Sequence, residues 1–116
     1  MKPLANYVDQ ARQGDTHRKL WVAQFIDDFR RTKDLNAIAA PLADKDSIAL
    51  LFQAIAHQLC VELKLSIPDW FFDFEPLDEP FFVSNLPNSR FLSLRESPYL
   101  FRMRNIFVPA NYLVRV

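Results

Sequence analysis

Glycine is almost absent from this chain: Gly14 is the only one in 116 residues. Without glycine there is no phosphate-cradling loop, whose backbone needs several, and no ready source of the primed turns that close tight β-hairpins. Cysteine is also down to one, Cys60, which excludes an internal disulfide. Net charge is missing too, with fourteen Lys and Arg against fourteen Asp and Glu. That balance argues against nucleic acid as a partner held through bulk charge. Nor is there a long apolar run. The longest, Ile48 to Val61, is short of the ~20 residues a membrane span requires and is interrupted by Gln53, His57 and Gln58. No membrane partner is expected. The opening MKPLANYVDQARQGD has no apolar stretch of the signal-peptide kind, so the expected location is the cytoplasm.

What is present is a half-apolar composition in a length that supports one core and is too short for two. A single helical domain over residues 1–116 follows, with a helical core (1–67) and an irregular wrapping half (68–116). Leu4, Tyr7, Val8 and Ala11 recur at helical spacing behind Pro3, and the run stops at Gly14. Asp15 and Thr16 are candidate caps for a second helix, about Thr16 to Arg31, striped by Trp21, Val22, Phe25, Ile26 and Phe29. Residues 33–44 read as a connection with at most one turn. Asp44 or Asp46 then caps the strongest helix, which runs to about Lys64 and is apolar on most sides, as a central helix is.

Beyond Pro68 the pattern changes. Prolines at 68, 76, 80, 87 and 98 forbid a long helix, and the lack of glycine disfavours a sheet. Short helices are expected from Asn88 to Glu96, capped by Asn88 or Ser89 and presenting Phe91, Leu92 and Leu94, and again from Ser97-Pro98 onward. The fold class is therefore all-α: three main helices wrapped by a Pro-rich, aromatic C-terminal half with short helices.

Charge is segregated within that half. Residues 69–80 carry Asp69, Asp73, Glu75, Asp78 and Glu79 with no base, whereas residues 85–116 carry Arg90, Arg95, Arg102, Arg104 and Arg115 against Glu96 alone. The segment Pro68 to Phe82, PDWFFDFEPLDEPFF, adds six aromatic rings to those five acids. As an arm it wraps the helices with its rings and leaves its acids to water or to the arginines. In an extended chain neighbouring side chains point to opposite sides, so at least one ring of Phe71-Phe72 and one of Phe81-Phe82 is expected at a surface. Arg102 and Arg104 lie about 200° apart if helical, so one can pair internally while the other faces out. The expected internal partners are Asp73, Asp78 or Glu79.

The sequence P-x-W, LDEPFF, Arg90 and ESPYLFRMRNIFVPANYL resembles the tail of a small bacterial helical family, P-x-W…LDxPWF…SPxxFRxRN[IV]F[IV]. The match runs through Pro68, Trp70, Leu77, Asp78, Pro80, Phe82, Ser97, Pro98, Phe101, Arg102, Arg104, Asn105, Phe107 and Val108, with Phe81 where the pattern has Trp. Some relatives in that family carry a helix-turn-helix in front and resemble regulators or antitoxin components. The resemblance implies a regulatory class and no catalytic residues.

No other motif carries chemistry. His57 and Cys60, three apart on one helix, supply two metal ligands where a site needs more, and Cys60 lies in apolar LCVEL, not the electropositive setting a nucleophilic thiolate requires. Asp27-Asp28 and Asp69/Asp73 offer no paired general acid and base. The expectation is a non-catalytic protein with no cofactor and no metal, acting on an unidentified protein partner or a second copy of itself. The residues expected to meet the partner are Phe72, Phe81, Phe82, Asp78, Arg102 and Arg104. The alternative is a nucleic-acid-binding regulator, with Gly14 as the turn and Thr16, His17, Arg18 and Lys19 opening a recognition helix.

Overall fold

Leu4, Tyr7, Val8 and Ala11 do share one buried face, on helix α1 (Leu4–Ala11) behind Pro3. The computed structural model describes residues 1–83 and 87–114, apart from the side chains of 87–89 and 91. Gly14 sits at φ 148°, ψ 173°, a backbone region that side-chain-bearing residues rarely adopt. Space is not what requires glycine there, because an added Cβ would approach only His17 Nδ1, at 3.9 Å.

Helix α2 (Asp15–Thr32) starts one residue earlier than the Thr16 start expected. Gly14 is its N-cap, and Asp15 stands in its first turn, where a carboxylate favours the helix dipole. A short 3-10 turn, Leu35–Ile38, opens the connection, with Asp34 accepting from the Asn36 N–H. Helix α3 (Ser47–Leu63) is capped by Asp46, whose carboxylate takes the Ala49 N–H at 3.0 Å. The same carboxylate accepts two bonds from Arg12 (2.8 and 3.2 Å), so the end of α1 is tied to the start of α3. Both long helices end on a lysine in the left-handed conformation, Lys33 (φ 51°) and Lys64 (φ 57°).

Every residue of α3 from Ala49 to His57 is buried. α1 and α2 cover one side of it with Tyr7, Val22, Phe25 and Phe29, and the C-terminal half covers the other with Phe71, Phe101, Ile106 and Val108. The protein is mostly helical, but its helix lengths of 8, 18, 17, 10 and 4 residues form a graded series and do not single out three main helices.

Two expectations for the C-terminal half are corrected. A sheet is present, in minimal form: strand β1 (Phe81–Phe82) pairs in parallel with β2 (Ile106–Phe107), Phe81 opposite Ile106 and Phe82 opposite Phe107. Glycine scarcity excludes tight hairpins, but a parallel pair is joined by a long crossover and needs no such turn. Here the crossover contains α4 (Pro87–Glu96) and α5 (Tyr99–Arg102).

The second correction concerns α4. Leu92 and Leu94, the apolar residues this helix presents, are both exposed, while Ser93 and the following Ser97 are buried. Serine is small enough to let backbones approach, and Ser97 Oγ accepts the Val108 N–H (2.8 Å) while offering its hydrogen to the carbonyls of Ser93 (2.5 Å) and Val108 (2.9 Å). α4 begins at Pro87, so Asn88 and Ser89, the expected caps, stand within its first turn; the Phe91 ring and Arg115 lie outside what the structure describes.

Candidate functional site

Pro68 ends the extended link after α3 and is followed by a 3-10 turn, Asp69–Phe72. Three residues per turn send successive side chains about 120° apart. Trp70 therefore lies along the body and donates its indole N–H to the Ile38 carbonyl at 2.9 Å. Phe71 enters the core with no exposed surface, and Phe72 points out with 59 % of its surface exposed. The doublet is split as expected, through a 3-10 turn in place of an extended strand.

From Asp73 the arm runs beside the end of α5. The Leu77 N–H bonds the Arg104 carbonyl (3.2 Å), Asn105 Nδ2 bonds the Leu77 carbonyl (2.8 Å), and the Phe81 N–H bonds the Asn105 carbonyl (3.0 Å). Asn105 takes the left-handed conformation, φ 62°, which asparagine tolerates better than most residues. An open groove of about 650 Å³ follows the arm, walled by Phe74 and Leu77 and edged by Lys45, Asp73, Glu75 and Asp78.

Arg104 is the central polar residue of this half and is completely buried. Its guanidinium donates to Gln53 Oε1 (2.7 Å), to the Leu100 carbonyl (2.6 Å) and to the Phe71 carbonyl (2.9 Å), and lies 3.4 Å from His57 Nδ1. The Phe74 ring covers it at 4.2 Å from the ring centroid. The expected pairing of Arg104 with Asp73, Asp78 or Glu79 does not form: all the hydrogen-bond partners found for it among the described residues are uncharged. Burial pushes its pKa down to about 10, which still leaves it charged at neutral pH. Being buried, it is also unavailable to a partner, which removes it from the expected contact residues. Its neighbour two residues back, Arg102, is exposed, so the two arginines do divide between inside and outside.

Phe81 and Phe82 are half-buried. The Arg18 guanidinium covers Phe81 at 5.6 Å; Phe82 stacks on Phe107 at 5.2 Å with Arg90 at 5.4 Å. Both rings are thus partly occupied within the chain. Among the described residues Asp78 forms no ion pair with Arg102, and the arm's one salt bridge is Asp73 to Lys45 at 3.7 Å. Phe72, Asp78 and Arg102 are the expected contact residues left exposed, Phe72 with one edge against His57 at 5.2 Å.

The helix-turn-helix residues are partly engaged in internal contacts: Arg18 pairs with Asp15 at 3.3 Å as well as covering Phe81. The Cys60 thiol is buried and its pKa is pushed up to about 11 by that burial, so it is held protonated. Among the described residues no three His, Cys, Asp or Glu side chains are grouped to hold a metal ion, and no helix is long and apolar enough to cross a membrane. No protein-family model, curated protein or solved structure matches the chain.

Sequence reading did not assign Gln53 and His57 to Arg104. The available signal was their spacing of four, which puts two polar groups on one face of an otherwise apolar helix.

His57 makes a prediction for pH. Burial, and secondarily the Arg104 charge, lower its pKa. The Phe71 and Phe72 rings flank it at 5.6 and 5.2 Å and contribute no negative charge. An unfolded chain then binds a proton below pH ~6.5 that the folded chain refuses. Stability from this group is complete above that pH and falls as pH drops below it, by at most ~1.4 kcal/mol per pH unit. Asp28, Asp46 and Glu62, whose folded pKa values are lowered, add their own acid loss only below pH ~4.5. Urea melts between pH 7.5 and 5 should show the decline in the wild type and a reduced decline in His57→Gln. Equal slopes in the two proteins would show that His57 is not its source.

Proposed function

We propose that this chain is a non-catalytic bacterial interaction or regulatory module, antitoxin-like in class, that binds a protein partner through Phe72 and the acidic arm. The observation that carries the reading is the Phe71-Phe72 doublet, with Phe71 buried and Phe72 59 % exposed. Asp69 and Asp73 flank the exposed ring and are themselves exposed. An exposed ring rimmed by charge has the composition of an interface anchor. Holding it on a 3-10 turn fixed by Phe71 and the Trp70 indole bond lowers the ordering cost of binding. The tail resemblance supports the regulatory class, and a cytoplasmic site of action fits it. Nucleic acid is the weaker partner, because Arg18, which would open the recognition helix, is paired with Asp15 and covers Phe81.

The test uses tagged wild-type protein and Phe72→Ser as baits in nuclease-treated lysate from the native host. The expected result is a protein retained by the wild type through 0.5 M salt and lost from Phe72→Ser, with both baits melting alike. A partner held equally by the two baits, or lost on nuclease treatment, would overturn the proposal.

A further inference from the structure

The charge segregation of the C-terminal half is not resolved within the chain. Asp69, Glu75, Asp78 and Glu79 form no ion pair among the described residues, and neither do Arg95 and Arg102. All six side chains are exposed. Yet the two segments are neighbours, joined by the Leu77–Arg104 and Asn105–Leu77 hydrogen bonds. Those bonds use the Arg104 backbone and the Asn105 side chain, while the Arg104 guanidinium turns inward to Gln53 and the Phe71 carbonyl. Exposed acids on the arm and exposed arginines on the segment that follows it are thus left unpaired among the described residues.

The helices that carry Arg95 and Arg102 also expose apolar side chains. Among its described side chains α4 buries Ser93 and leaves Leu92 and Leu94 exposed by 46 % and 48 %, and Tyr99, at the start of α5, is 69 % exposed. Leu92 and Arg95 lie three apart on one face of α4.

We infer that the face formed by α4, α5 and the acidic arm binds a second copy of this chain about a two-fold axis. This rests on the proposed interaction role and names one partner for it. Segments of opposite sign on one chain are self-complementary: a two-fold axis between them sets Asp78 and Glu79 of one copy against Arg95 and Arg102 of the other, twice over. The same rotation covers Leu92 and Tyr99, each three residues from one of those arginines on its own helix. Isologous pairing closes at two copies and does not propagate.

The experiment is sedimentation velocity from 1 to 200 µM protein in 50 mM salt, on the wild type and two charge-reversed variants, Arg95→Glu/Arg102→Glu and Asp78→Lys/Glu79→Lys. All four positions are exposed, so thermal melts should match the wild type. The wild type is expected to dimerise with rising concentration, and each variant alone to dissociate at least ten-fold more readily. An equimolar mixture of the two variants should form a heterodimer of wild-type strength, since each junction again joins opposite charges. A wild type that stays monomeric at 200 µM, open-ended polymers, or a mixture no more associated than its components would overturn the inference. A monomer that still retains a Phe72-dependent partner in the lysate assay would end this inference and leave the proposed function standing. A dimer with no such partner would do the reverse.

Discussion

Replacing Arg104 with alanine should destabilise the protein by about 4 kcal/mol or more, the largest single effect expected here. The side chain is fully buried, and its removal leaves Gln53 Oε1 and the carbonyls of Leu100 and Phe71 without their donor. Each orphaned buried acceptor costs about 1–3 kcal/mol, and the emptied volume under Phe74 adds a cavity term. Acting against this is relief from keeping a charge out of water with no carboxylate to offset it. Arg104→Met separates the two effects, because it fills much of the volume and removes both the charge and the donors. If the hydrogen bonds dominate, Met should still cost about 2 kcal/mol; if desolvation dominates, Met should equal or exceed the wild type. Arg104→Lys keeps the charge but cannot spread planar donors over three acceptors, so it should fall below the wild type. Urea denaturation of the three variants decides. A Met variant within about 0.5 kcal/mol of the wild type would show that the cradle makes no net contribution to stability.

The second large effect separates two adjacent and chemically identical rings. Phe71→Ala should cost about 3–5 kcal/mol, as truncation of a fully buried ring does. The ring packs edge-on against Trp70 at 4.7 Å and beside His57 at 5.6 Å, and its own carbonyl is one of the acceptors of Arg104. Phe72→Ser should stay within about 0.5 kcal/mol, apart from the loss of its edge contact with His57 at 5.2 Å. Denaturation of the two variants side by side is the measurement. Similar large losses in both would mean that Phe72 is part of the packing and would remove the premise on which the binding role stands.

Much of the N-terminal half was legible because its rules are local. The spacing of Leu4, Tyr7, Val8 and Ala11 defines a face whatever it packs on, and Asp46 caps the helix that follows it by reaching three residues ahead to Ala49. The all-round apolarity of Ile48 to Val61 was enough to assign α3 to the centre. The Phe71-Phe72 doublet was equally local, and its split into one buried and one exposed ring followed without knowing which conformation held it; Phe81 and Phe82, expected to split likewise, are both half-buried instead.

What the tertiary structure alone decided are the long-range choices. Sequence shows an excess of acids in the arm and of arginines in the tail, and opposite charges suggest a pair. The fold gives Arg104 to Gln53 and a backbone carbonyl, 51 and 33 residues away, because a guanidinium presents several donors and neutral acceptors can satisfy them as fully as a carboxylate can. Likewise α4 exposes Leu92 and Leu94 and buries Ser93, and it is Ser97, just beyond the helix, that bonds Val108. The parallel pairing of Phe81 with Ile106 joins residues with no shared local signal. Periodicity and capping act within a few residues and can be read along the chain. Which donor meets which acceptor across the core depends on where the backbone has already brought them.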